Sequence, residues 1–138
     1  MTKERLREYR AIKLERDKLQ QDIEELEAVM YGASSSKLSN MPRSGNGGSS
    51  SVENFTIRHN ELLRRYRQKE AELSAALLEI ENAIETLPPR ERTLVRLYYA
   101  KGLTWEAVAV EMGYCWRQVH RIHSDALEAL KAKEKAKP

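Results

Sequence analysis

Two glycines, Gly102 and Gly113, place the tightest constraint on how this chain of 138 residues can fold. Glycine adopts a left-handed backbone at little cost, and helices commonly end on it in that conformation. Thr104 follows the first glycine and is a good helix N-cap, because its hydroxyl can accept a hydrogen bond from a free backbone N–H. The spacing therefore predicts a short helix, Trp105–Met112, with a sharp turn at each end.

Apolar residues on both sides of this short helix have the spacing of helix faces that pack on one another. They predict a first helix that ends at Gly102 and a third helix that runs from about Trp116 to beyond Leu130. Ala109 is small enough for two helix backbones to approach each other closely. The positions expected to face inward are Leu94, Val95, Leu97, Tyr98, Val108, Met112, Tyr114, Val119 and Ile122. Three helices in this order predict a helix-turn-helix domain at residues 88–130.

The same segment resembles region four of bacterial sigma factors over residues 86–130. The matching residues are Gly102-Leu103-Thr104, Val108-Ala109, Met112-Gly113 and Ala126-Leu127, followed by Leu130. The whole arrangement, with its heptad helices and a Ser-rich loop containing Ser39-Asn40-Met41-Pro42, resembles a small group of phage and prophage proteins thought to regulate transcription. The resemblance implies binding to double-stranded DNA, with RNA polymerase as a candidate second partner.

A helix-turn-helix reads DNA with the exposed face of its last helix, which enters the major groove. We therefore expect residues 116–130 to form the recognition helix. The side chains predicted to contact bases are Trp116, Arg117, Gln118, His120, Arg121 and Ser124. The side chains predicted to contact backbone phosphates are Arg96, Lys101 and Thr104. Contacts of this kind determine affinity more than sequence preference. Trp116 has two open placements, against the DNA or back on the second helix.

Before Pro88, two stretches carry apolar residues at heptad spacing between charged flanks, which is typical of helices that pair. The first seam consists of Tyr9, Ile12, Leu19, Ile23, Leu26 and Met30. The second consists of Leu63, Tyr66, Leu73, Leu77, Ile80, Ile84 and Leu87. Arg16 and Glu70 are the polar residues within the seams, and we expect them to pair. Residues 1–87 are thus predicted to form a long helical hairpin or coiled coil.

The two seams are separated by Gly32–Ser51, in which twelve of twenty residues are Ser or Gly. This composition predicts a flexible loop at 32–51. The loop allows the helices to pair within one chain or between chains, and we expect association into a homo-oligomer. The fold predicted for the whole chain is all-α, with an N-terminal hairpin, a C-terminal helix-turn-helix and a fraying charged tail at 131–138.

The net charge of +3 is concentrated at the C-terminal end. Residues 88–138 contain ten basic and six acidic side chains, an excess of four positive charges, whereas the rest of the chain is close to neutral. A basic excess on the same segment as the helix-turn-helix is the sign expected for a nucleic-acid partner.

Several classes of function are disfavoured by the sequence. No apolar run approaches the roughly 20 residues of a membrane span, and the N-terminus lacks the apolar segment of a secretory signal. The single cysteine, Cys115, cannot form an intrachain disulfide, so we expect a cytoplasmic protein. Cys115, His120 and His123 lie along one helix start and cannot surround a metal ion. With no phosphate-binding loop and no catalytic constellation, we expect a non-enzyme without metal or cofactor.

The function that follows is sequence-specific binding of duplex DNA by a phage-type transcriptional regulator. Two alternatives stay open at this point. One is a small terminase-like DNA-packaging protein, which also combines a helix-turn-helix with helical oligomerisation. The other is a sigma-like segment that binds RNA polymerase. Packaging proteins usually carry the DNA-binding unit at the N-terminus, and here it is C-terminal, which favours the regulator.

Overall fold

The computed structural model describes residues 1–32 and 47–136. They form α1 (Lys3–Glu27), α2 (Gly47–Ile84), α3 (Pro89–Val95), α4 (Trp105–Met112) and α5 (Trp116–Ala136). Two π-helical turns, Ala28–Gly32 and Arg96–Ala100, extend α1 and α3. No strand occurs among the described residues. The all-α prediction is confirmed, with a long N-terminal helix and a C-terminal helix-turn-helix region.

The described parts of the predicted loop 32–51 are helical. Gly32 closes the turn that extends α1, and Gly47–Ser51 belong to α2, so the prediction was wrong at both ends. Helix formation is cooperative, and packing farther along α2 can extend its start into residues of low helix propensity. The remainder of the predicted loop, including Ser39-Asn40-Met41-Pro42, lies outside the described residues.

The described chain divides into two units, and their boundary differs from the predicted one. The C-terminal unit comprises Met1–Leu14 and Ala71–Pro138, and the hairpin unit comprises Glu15–Glu70. The sequence predicts a boundary between residues 87 and 88. Heptad spacing does not reveal which part of a long helix packs on a neighbouring domain, and here both ends of the N-terminal segment contribute to the C-terminal core.

The first apolar cluster of the C-terminal unit joins parts of α1 and α2 to α3 and α5. Its buried members are Leu6, Tyr9, Leu73, Ala76, Ile80, Ile84, Leu87, Val95, Tyr99, Ala126 and Leu130. On α2, Ala76 is buried and the predicted seam residue Leu77 is 38% exposed. A straight α-helix drifts relative to a strict seven-residue repeat, so the buried stripe leaves the heptad positions.

The second apolar cluster holds the helix-turn-helix together. Its buried members are Leu94, Leu97, Val108, Val119 and Ile122, with Tyr98, Leu103, Trp105, Ala109, Met112 and Tyr114 packed around them. The inward-facing positions expected from the spacing in this segment are thus confirmed. Burial of each large side chain contributes about 1.5–3 kcal/mol, and this fixes the three helices relative to one another.

In the hairpin unit, α1 and α2 pair antiparallel within the chain. Arg16 Nη1 lies 2.7 Å from Glu70 Oε1, which confirms the predicted pairing of the two polar seam residues. Farther along, His59 Nε2 lies 2.7 Å from Glu27 Oε1. Apolar packing in this unit is sparse, however. Among its described residues Ile23 is the one buried apolar side chain, whereas Ile57 is 69% exposed.

At the C-terminus, α5 continues to Ala136, so the described part of the predicted charged tail is helical. Lys133 Nζ donates to the carbonyl oxygen of Ala83 at 3.3 Å, and the N-terminal ammonium lies 3.3 Å from Glu134 Oε2. These contacts hold the last turns of the helix against the unit, which a charge pattern alone does not predict.

Candidate nucleic-acid interface

The turns on either side of α4 set the angle at which the recognition helix is presented. Gly102 and Gly113 have φ of 76° and 72°, the left-handed values that the sequence predicted. Thr104 caps α4, since its Oγ1 accepts from the backbone N–H of Ala107 at 3.2 Å. After α4, the N–H groups of Gly113 and Tyr114 both donate to the carbonyl of Ala109. Two glycine turns and one cap therefore define the helix-turn-helix.

The recognition helix α5 buries one face and exposes the other. Val119, Ile122, Ala126 and Leu130 are buried. Arg117, Gln118, Arg121 and Ser124 are exposed on the remaining surface, as the sequence predicted. Among the described residues, no ion pair engages either arginine. Because Arg117 and Arg121 are four residues apart, they project from the same side of the helix and can reach adjacent acceptors.

His120 is less exposed than the other side chains predicted to contact bases, and its base contact stays a prediction. It is half-buried, with its ring 4.6 Å from the ring of Trp105 and 3.9 Å from that of Trp116. Its Nε2 is buried and has no hydrogen-bond partner among the described residues. The contact with Trp105 draws the imidazole towards α4. His120 is therefore placed to support Trp116.

Trp116 is 61% exposed at the start of α5. It packs on His120 of the same helix. The two placements expected for it were against the DNA and back on the second helix. An indole ring supported on one side and open on the other can contact a thymine methyl group or a sugar. Cys115, just before it, is also exposed, and its carbonyl accepts from Val119 N–H at 3.0 Å.

The three residues predicted to contact phosphates differ in their surroundings. Lys101 is exposed beside the turn at Gly102. Thr104 is exposed as well, although its hydroxyl is engaged in capping α4. Arg96 is held by Glu81 in a two-pronged ion pair, with Nη2 to Oε2 at 2.7 Å and Nε to Oε1 at 3.0 Å. A phosphate would compete with that carboxylate for Arg96, so its contact with DNA stays a prediction.

Arg10, on α1, is a residue that the sequence did not single out. Its Nε donates to the carbonyl of Tyr98 at 3.2 Å, and its Nη2 donates to the carbonyls of Leu103 at 3.2 Å and Gly102 at 3.5 Å. Its guanidinium also lies 4.3 Å from the centre of the Tyr98 ring. The last carbonyls of a helix lack intrahelical partners, and Arg10 supplies donors to those that precede α4. No local signal could have revealed this contact across 88 residues.

A buried hydrogen bond links α3 to α5 behind the exposed face. Tyr99 Oη lies 2.6 Å from His123 Nε2. Burial raises the pKa of Tyr99 to about 12 and lowers the pKa of His123 to about 4. Near neutral pH the phenol therefore keeps its proton, and the imidazole that it contacts is neutral.

No helix among the described residues is both long and apolar enough to cross a membrane. Nor does that part of the chain hold a group of three or more His, Cys, Asp or Glu side chains able to bind a metal ion.

Residues 83–132 match the sequence model of the family Sigma-70, region 4. No match was found among curated proteins or among solved structures. The matched residues include the end of α2, the whole helix-turn-helix and most of α5. Such a fold indicates DNA binding, and it agrees with the resemblance inferred from the two glycine turns. Residues 83–132 of this chain are a Sigma-70 region 4 domain, a helix-turn-helix DNA-binding fold.

Proposed function

We propose that this protein binds specific sequences in duplex DNA and regulates transcription as a phage-type, cytoplasmic regulator. One observation carries the proposal. Arg117 and Arg121 lie on the exposed face of α5, and no carboxylate engages them among the described residues. Arginine in this position of a helix-turn-helix can donate two hydrogen bonds to guanine O6 and N7 in the major groove. The chain acts in this proposal by binding rather than by catalysis.

The other exposed groups have separate roles in the proposal. Gln118 and Ser124 lie beside the arginines and add polar contacts to bases or sugars. Trp116 packs on the sugar or thymine methyl at the edge of the site. Lys101 contacts a phosphate, and the first turn of α4 approaches the same backbone. Base contacts set sequence preference, whereas Lys101 contributes equally to all duplexes.

The first test is selection from a random pool of duplexes with the full chain. A specific regulator should enrich one sequence, and the fluorescence anisotropy of the selected duplex should then give its affinity. The affinity should also fall as the salt concentration rises, because basic side chains that contact DNA release counterions from it. Enrichment of no sequence, with binding instead to purified RNA polymerase, would favour the polymerase-binding alternative.

The second test separates the predicted roles on α5 from that of the turn. Lys101→Ala should weaken the selected and a scrambled duplex by the same factor, because a phosphate contact carries no sequence information. Lys131→Ala is the matched control. It removes the same charge from an exposed position on α5, about 15 Å along the axis from Arg121, and it should change neither affinity. A loss confined to the selected duplex in Lys101→Ala would contradict the phosphate assignment.

A further inference from the structure

A cavity of about 450 Å³ lies in the C-terminal unit, between the start of α1 and the helix-turn-helix. This volume is within the range of small-molecule sites. Aromatic rings of α3, α4 and α5 form one wall, and basic side chains of α1 form the other. The DNA-binding face described above does not use this space.

The basic wall consists of Lys3, Arg7 and Arg10, and no Asp or Glu lines the cavity. Arg10 is engaged with backbone carbonyls. Lys3 and Arg7 are exposed and have no ion-pair partner among the described residues. Their positive potential is felt inside the cavity, because Lys3 and Arg7 both contribute to lowering the pKa of His123 after the larger effect of burial. The cavity is thus an unneutralised cationic site.

The aromatic wall is centred on Trp105. Its ring stacks on Tyr98 with 3.8 Å between centroids, and it lies 4.6 Å from the ring of His123. Tyr99 is buried behind them. These packed rings form a firm apolar surface of the kind against which a planar ligand packs. The backbone of a duplex cannot enter a concave site with such a buried floor, whereas a free small molecule can.

We propose that this cavity binds a small anion that carries a planar ring, with Lys3 and Arg7 pairing with the anionic group and Trp105 contacting the ring. A nucleoside monophosphate and an aromatic carboxylate both have this chemistry. Both parts of the ligand are needed, because the cations lie on one wall and the rings on the other. The proposal does not depend on the DNA-binding function, since its test needs no DNA.

The test uses the fluorescence of Trp105 in the full chain. The protein has two tryptophans, so Trp116→Phe leaves Trp105 as the reporter. Adenosine 5′-monophosphate and benzoate are the probes for the phosphate and carboxylate forms. Adenosine provides the ring without the charge, and inorganic phosphate provides the charge without the ring. Lys3→Gln with Arg7→Gln removes the charged wall. Arg90→Gln with Lys131→Gln removes two exposed charges elsewhere as the matched control.

At least one of the two probes should change the fluorescence in a saturable way. Adenosine and inorganic phosphate should each bind at least about tenfold more weakly than the probe that responds. The double variant Lys3→Gln with Arg7→Gln should reduce the affinity for that probe by a similar factor, because charge-assisted contacts are lost. The control pair should leave affinity unchanged. No saturable response up to about 10 mM of either probe would overturn the proposal. Equal losses in both variant pairs would overturn it too.

Discussion

Replacing Arg10 by methionine tests how far the helix-turn-helix depends on α1. The substitution keeps an unbranched apolar stem and removes the guanidinium. It therefore leaves three carbonyls between α3 and α4 without their side-chain donor, those of Tyr98, Gly102 and Leu103. It also removes the cation above the Tyr98 ring. Both effects act on the turn that leads into α4.

The expected loss follows from these contacts. The two bonds at 3.2 Å contribute about 1 kcal/mol each, because the site is half-buried and water can replace part of their strength. The bond at 3.5 Å to Gly102 is long and adds little. The cation over the ring adds about 0.5–1 kcal/mol. Arg10→Met should therefore lower the free energy of unfolding by about 2–3 kcal/mol.

Urea denaturation of the full chain, followed by circular dichroism, measures this loss. Arg10→Lys should have an intermediate effect, since lysine retains the charge but lacks the planar fork that reaches two carbonyls at once. Arg7→Met is the matched control, because Arg7 is exposed on the same helix, and its substitution should stay within about 0.5 kcal/mol of the parent. Equal stabilities of Arg10→Met and Arg7→Met would refute the role assigned to Arg10.

Three further predictions concern the turn, the buried imidazole and the hairpin unit. Gly113→Ala should cost about 1–2 kcal/mol by urea denaturation from its φ of +72° alone, because a Cβ there meets nothing within 4 Å. Gly102→Ala should cost a similar amount, because its φ is +76°. An unchanged stability of Gly113→Ala would contradict the turn geometry. The pKa of His123 is lowered from 6.5 to about 4, so the unfolded chain takes up a proton before the folded one does as the pH falls. The free energy of unfolding should therefore be full above pH 6.5 and fall by about 1–2 kcal/mol towards pH 4, after allowance for partial exposure. His123→Phe should flatten that dependence, and an equally steep slope in the variant would exclude this ring as its source. Sedimentation equilibrium should show a dimer or larger assembly at micromolar concentration, with Ile57→Glu shifting it to monomer, since Ile57 is 69% exposed in the single chain; a monomeric parent protein would refute oligomerisation.

The turns and helix limits of the DNA-binding segment could be predicted because their signals are local. Two glycines, a threonine cap and the apolar spacing between them determine the bounds of α4, and the structure places α4 at Trp105–Met112 as expected. The exposed positions of Arg117 and Arg121 followed from the same periodicity. A family resemblance over residues 86–130 then added the DNA-binding function, and the match to Sigma-70, region 4 at residues 83–132 agrees with it.

Contacts between distant parts of the chain could not be predicted in the same way. Glu81 and Arg96 are 15 residues apart and on different helices, and each alone looks like an ordinary surface charge. His120 has a polar ring that periodicity places at the edge of the exposed face, yet its contact with Trp105 draws it inward. Which segment of α1 joins the C-terminal core also depends on tertiary packing, since heptad spacing is the same on both sides of that boundary.

The most direct test of the central claim is the discrimination between the selected and a scrambled duplex in the Arg121→Ala variant. If Arg121 contacts a base, the variant should lose about 1–3 kcal/mol of affinity for the selected duplex and almost none for the scrambled one, so that the ratio of the two affinities collapses. Lys131→Ala should keep the parent ratio. Anisotropy titrations at one fixed salt concentration measure both affinities. Equal losses on the two duplexes, or an unchanged ratio in Arg121→Ala, would contradict the claim that the exposed face of α5 reads the DNA sequence.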